Sequence, residues 1–179
     1  MKRILVLAAV LLVAASTAFA QLGTTSPTGT LSLNVAAEAG LVVNTATTTL
    51  TESGSGINFQ PYTGTTSLTY YIRTSSSGTG TIGLRVSTDF AGSGGPSVGT
   101  PPTSGDALTY VSTVSSPGTA AADQTASTSS TLTPVATFGN NAHSTYAGNS
   151  ASVAWSLTND PVYAVGAYTA TITYTISAT

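Results

Sequence analysis

Tyr168-Thr169-Ala170-Thr171-Ile172-Thr173-Tyr174-Thr175-Ile176 decides the fold. Tyr168, Ala170, Ile172, Tyr174 and Ile176 fall on one side of an extended chain, and Thr169, Thr171, Thr173 and Thr175 on the other. A period of two belongs to a β-strand, because successive side chains point to opposite faces of the sheet. One face is apolar and the other hydroxylated, which suits an antiparallel sheet with one side wet.

The same alternation recurs upstream. Leu31, Leu33 and Val35 alternate with polar residues, as do Leu68, Tyr70 and Ile72, then Ile82, Leu84 and Val86, then Val153, Trp155 and Leu157. Less regular strand candidates are Leu41–Asn44, Thr47–Leu50, Leu108–Val114 and Thr131–Phe138. Threonine, about a fifth of the residues, favours pleated structure. Ala36–Gly40 has room for one helical turn that Gly40 would end. Eight or nine short strands predict an all-β, immunoglobulin-like antiparallel β-sandwich.

Lys2 and Arg3, an apolar run over Ile4–Ala15, and Ala18-Phe19-Ala20 stand in the order of a cleavable signal peptide over residues 1–20. The apolar run is shorter than the roughly 20 residues of a membrane-spanning helix; a retained signal anchor is the alternative. The expected location is therefore secreted, extracellular or cell-surface, with the periplasm also open. No transmembrane segment is expected after removal of the signal. Residues 21–179 are then one sandwich domain with long connections at about 91–105, rich in Gly and Pro, and 115–130, rich in Ser, Thr and Ala. A linker between two half-domains is the competing reading, although each half would bury little surface.

Composition narrows the chemistry. Charged residues are 6% of the 179-residue chain and cysteines are absent. That excludes thiolate metal sites, disulfides and cysteine nucleophiles. Beyond residue 20, Arg73 and Arg85 face six acids (Glu38, Glu52, Asp89, Asp106, Asp123, Asp160), a formal charge of −4. Two arginines cannot build the basic face that displaces counterions from nucleic acid or anionic headgroups. No metal or cofactor is expected. A lone His143 is a poor transition-metal site, and the acids form no calcium loop.

Two catalytic-looking motifs sit in the wrong context. Gly78-Thr79-Gly80-Thr81-Ile82-Gly83 has dinucleotide-loop spacing but opens a strand where that site needs a helix. Gly95-Pro96-Ser97-Val98-Gly99 has nucleophile-elbow spacing but lies within a Gly/Pro-rich stretch. His143 with a serine and an aspartate, and Glu38 with Glu52 as a glycosidase pair, are the remaining catalytic arrangements. The sequence reads as non-catalytic.

Among eight tyrosines, Tyr70 and Tyr174 are expected to fill the core, as is Trp155. Tyr71 shares a face with Arg73 and is the candidate glycan contact. The terminal strand carries no charge and no proline, the features that usually guard a sheet edge. It must pair internally, be covered, or accept a strand from another copy. Leu31, Leu33 and Val35 are the candidate strand-exchange segment.

Gly166–Tyr174 resembles the closing strand of secreted bacterial β-sandwich surface domains. Thr28–Leu41 resembles the opening strand of spore coat protein U and related fimbrial subunits, with Gly40-Leu41-Val42-Val43 where that family usually has a cysteine. That resemblance implies polymerisation by exchange of an N-terminal strand. Trp155-Ser156-Leu157 and the tail Tyr168–Ile176 are similar to the WxL cell-wall domain, which implies attachment to peptidoglycan. The expected function is an exported structural or surface protein, a fibre or coat subunit assembling by strand complementation with itself. The alternative is a carbohydrate or cell-wall binding module whose partner is matrix glycan.

Overall fold

A computed structural model describes residues 29–56, 58–90, 92–99 and 105–179. The expected signal peptide lies outside the described residues. Residues 35–179 form one compact unit, and the regular secondary structure of its described residues is entirely β. The strands are β1 (Glu38–Val43), β2 (Thr51–Glu52), β3 (Tyr62–Arg73), β4 (Gly80–Thr88), β5 (Leu108–Val114), β6 (Thr119–Ala120), β7 (Gln124–Ala126), β8 (Thr133–Phe138), β9 (Asn149–Leu157) and β10 (Thr171–Ala178).

They make two antiparallel sheets. The first runs β1-β3-β9-β5-β7, with β2 also on β3; the second runs β10-β4-β8-β6. The alternation read from the sequence explains why they stack. Leu68, Tyr70 and Ile72 of β3, Tyr110 of β5 and Val153, Trp155 and Leu157 of β9 meet Ile82, Leu84 and Val86 of β4 and Val135 and Phe138 of β8 in one core. The Tyr70 and Phe138 rings meet across the sheets with centroids 5.1 Å apart and planes tilted by 54°. A tilted contact sets ring edge against ring face, as the aromatic quadrupoles prefer.

Polar tips are satisfied across the gap. The Tyr110 hydroxyl donates to Pro134 O at 2.7 Å and Ser112 Oγ to Val135 O at 2.8 Å, both from β5 to β8. Tyr70 donates to Ser115 O. A buried hydroxyl must find such a partner or forfeit its hydration.

The largest departures from expectation are at the N-terminal side. Leu31, Leu33 and Val35 lie in no strand and are 98%, 85% and 56% exposed. Strand pairing begins at Glu38, and no helical turn forms over Ala36–Gly40. Register explains the shift: Ala39 and Leu41 stand opposite the inward-facing Ile72 and Tyr70, so this pairing turns both toward the core. Residues 47–50 form no strand. Instead Thr48 hydrogen-bonds Thr66 of β3 at 2.6 Å and Leu50 packs on the core. The last strand begins at Thr171, not Tyr168. The Tyr168 hydroxyl turns back to Ala164 O at 2.7 Å.

The two expected loops are more structured than their composition suggests. In the first, Val98 is completely buried and its carbonyl accepts from Thr128 N at 3.1 Å. The second contains β6 and β7, and Ala126 is buried.

Candidate functional site

Cross-strand register assembles one surface site on the outer face of the first sheet. Glu38 of β1 stands opposite Arg73 of β3. On the other flank of Arg73, His143 forms an isolated antiparallel bridge. Residues opposite one another in a ladder send their side chains to the same face. An acid, a guanidinium and an imidazole therefore stand in one row. Arg73 Nη2 donates to Glu38 Oε2 at 3.0 Å and Arg73 Nε to Ala36 O at 2.7 Å. Both side chains are open to solvent, so the ion pair adds little stability. Its consequence is to hold the guanidinium in place.

Tyr71, the candidate glycan contact, lies one row along on the same face, opposite Gly40. Its ring is partly exposed and rests by Gly148, where an added Cβ would come within 2.9 Å of Cζ and 3.0 Å of Cε1. The ring thus packs on the Gly148 backbone, and its hydroxyl donates to Ala147 O at 3.4 Å. Glu38, Gly40, Tyr71, Arg73, His143 and Ser144 line a shallow recess of about 440 Å³. The expectation that Tyr71 and Arg73 share an accessible face thus holds. Sequence reasoning missed the arrival of His143 and Gly148 beside them, from a connection whose pairing has no sequence period.

The catalytic-looking motifs resolve into structural roles. Gly80 opens β4, and no helix follows the Gly78–Gly83 run. Ser97 is a ligand of aspartates. Its Oγ donates to Asp89 Oδ2 at 2.8 Å and its backbone N to Asp106 Oδ2 at 2.9 Å. Asp89 Oδ1 also accepts from Phe90 N and Val98 N at 2.8 and 2.9 Å. The carboxylate pins the Gly/Pro stretch and seats Val98 in the core. Glu38 and Glu52 stand opposite Arg73 and Tyr62, the two ends of β3. At about 3.3 Å per residue they are roughly 35 Å apart, far beyond the about 5–9.5 Å that glycoside hydrolysis uses. No cluster of three or more metal-ligating side chains occurs among the described residues.

Four phenols have pKa values raised above the ordinary 10.0, each chiefly by burial: Tyr70, Tyr110, Tyr163 and Tyr174. For Tyr163 the hydrogen bond it donates to Asp106 adds to the effect. For Tyr174 the neighbouring Thr66 hydroxyl acts the other way, although Tyr174 Oη makes no hydrogen bond of good geometry among the described residues.

The second surface is a sheet edge. β10 ends its sheet and pairs with β4 alone among the described residues. Its inward residues Ile172, Tyr174 and Ile176 are only partly buried while packing on the core. The other sheet ends are guarded. β6 and β7 have two and three residues, and β1 carries Glu38. Short strands and charges are the usual protections of an edge.

Comparison with known proteins finds no matching family model, no matching curated protein and no matching solved structure.

Proposed function

We propose that the chain is an exported, non-catalytic structural subunit of a cell surface or matrix that assembles with itself by β-strand addition. The domain is read as an immunoglobulin-like sandwich, and the Lys2–Ala20 pattern as its export signal. The observation that carries the reading is β10. It offers eight residues, Thr171–Ala178, with no charge and no proline, one side unpaired among the described residues, and a partly covered apolar row.

The same molecule supplies a matching donor. Leu31, Leu33 and Val35 alternate, so an extended chain presents all three on one face, and all are exposed. Laid along β10 of a second copy, the segment would satisfy unpaired backbone groups while its apolar face covers Ile172, Tyr174 and Ile176. Backbone pairing supplies affinity and the alternate side chains supply register. Donor and acceptor are different surfaces, so the contact is heterologous and propagates as an open filament wherever its rotation does not close a ring.

The test is size exclusion and negative-stain microscopy of residues 21–179 over a concentration series. Concentration-dependent polymers are expected, lost in the double variant Leu31→Ser, Leu33→Ser. A parent chain that stays strictly monomeric at high concentration overturns the reading. So does a double variant that polymerises as the parent does.

A further inference from the structure

The recess at the β1–β3 corner has the chemistry of a ligand site, and self-assembly at β10 does not use it. Its floor is an aromatic ring flanked by two glycines, Gly40 in register with Tyr71 and Gly148 in close contact with it. Its rim is the row Glu38–Arg73–His143. We propose that this recess binds a neutral saccharide unit, its ring face stacked on Tyr71 and its hydroxyls hydrogen-bonded to Arg73, Glu38 and His143.

Three features select that ligand class. The first is the pairing of donor and acceptor. Arg73 offers only donors and ionised Glu38 only acceptors, held 3.0 Å apart. An imidazole stands in the same row, with a donor and an acceptor when neutral. A sugar hydroxyl both donates and accepts, so adjacent hydroxyls match an adjacent guanidinium and carboxylate.

The second is charge. The Arg73 charge is already met by Glu38 in direct contact, so an anionic ligand would have to displace the carboxylate or sit beside it. A neutral ligand meets no such penalty. The third is the aromatic surface. A tyrosine ring presents an apolar body with a polar tip, suited to the C–H face of a pyranose. Gly148 packs against the ring beside Cζ and Cε1, and the hydroxyl donates to Ala147 O at 3.4 Å, so the surface offered to a ligand is the part of the ring that lines the recess together with Gly40. Tyr146, more exposed, stands outside the recess.

Amide chemical-shift titration of residues 21–179 tests the proposal, with cellotriose and N,N′,N″-triacetylchitotriose as neutral probes and trigalacturonate as the anionic one. Saturable shifts are expected at residues 38–40, 71–73 and 143–144 with at least one neutral probe. Tyr71→Ala should weaken binding about tenfold, the scale of a lost aromatic stacking contact, whereas Tyr71→Phe should retain most of it. His143→Ala, on an exposed connection, is the second variant should Tyr71→Ala fail to fold, and it should weaken binding severalfold. No saturable shift with either neutral probe overturns the proposal, as do shifts confined to other residues. Tighter binding of trigalacturonate overturns the neutral assignment. Loss of polymerisation in Leu31→Ser, Leu33→Ser leaves this site intact, so the two readings fail separately.

Discussion

Trp155 Nε1 donates to Thr66 Oγ1 at 2.9 Å, joining neighbouring strands of one sheet inside the sandwich. Thr66 Oγ1 also shares a 2.6 Å hydrogen bond with Thr48 Oγ1. A single hydroxyl thus satisfies the indole of the core and ties the 47–50 segment to β3. Thr66→Val keeps the shape and removes the hydroxyl, stranding a buried N–H. The expected cost is about 1–3 kcal/mol, read as a lower urea midpoint at unchanged slope. Thr66→Ser, which keeps the oxygen, should lose less.

Asp89 holds the Gly/Pro stretch with one carboxylate that accepts three hydrogen bonds from Phe90, Ser97 and Val98. Asp89→Ala orphans the Val98 amide and loosens the seat of a completely buried valine. A destabilisation of about 2–4 kcal/mol is expected from the unsatisfied donors and the lost core packing. Limited proteolysis should show new cleavage within residues 92–99 before global unfolding. Cleavage at the parent rate would show that the carboxylate does not hold this stretch.

These two networks show where the sequence was legible and where it was not. Strands with strict alternation, such as Val153–Leu157 within β9 and Ile82–Val86 within β4, lie where their period places them, because the apolar row has only one face to bury. Leu31–Val35 has the same period without a strand, since alternation states which face a strand would bury but not whether a partner is available. The 91–105 stretch reads as pure connection because its anchors, Asp89 and Asp106, flank it eight and nine residues from Ser97, a spacing that no strand or helix period encodes. Asp89 and Asp106 read as isolated acids until the chain folds them onto Ser97. Tyr71 and Arg73 were legible as a shared face by period alone. His143 and Gly148 were not, because a connection reaches β3 by tertiary packing that no local pattern encodes.

Buried phenols give the fold an alkaline limit. The pKa values of Tyr70, Tyr110, Tyr163 and Tyr174 are raised above 10.0 in the folded state, so the unfolded chain loses these protons first. Stability from this source is fully present below about pH 10, the unfolded value, and falls as pH rises through the folded values. The stability curve should be flat from neutrality to about pH 10 on this account and then descend. Phenolate absorbance followed during alkaline titration should show these tyrosines ionising only as the circular-dichroism signal of the sheets is lost. Full ionisation with the β signal intact would contradict their burial.

The edge strand carries the most discriminating substitution. Ile176 stands opposite Ile82 on the inward side of β10 and is partly buried. Ile176 is only partly buried, so in Ile176→Lys the ammonium can reach water, as long basic side chains do. The isolated domain should therefore lose only about 1–2 kcal/mol of burial. A guest strand seated along β10 would close that route and trap the charge, which needs a partner that Leu31, Leu33 and Val35 do not offer. Self-association measured by size exclusion should disappear while thermal unfolding stays cooperative. Thr173→Lys carries the same charge on the outward face and should leave assembly largely intact. The contrast between the two lysines separates strand addition from general charge repulsion, because only the inward one lies under the proposed guest.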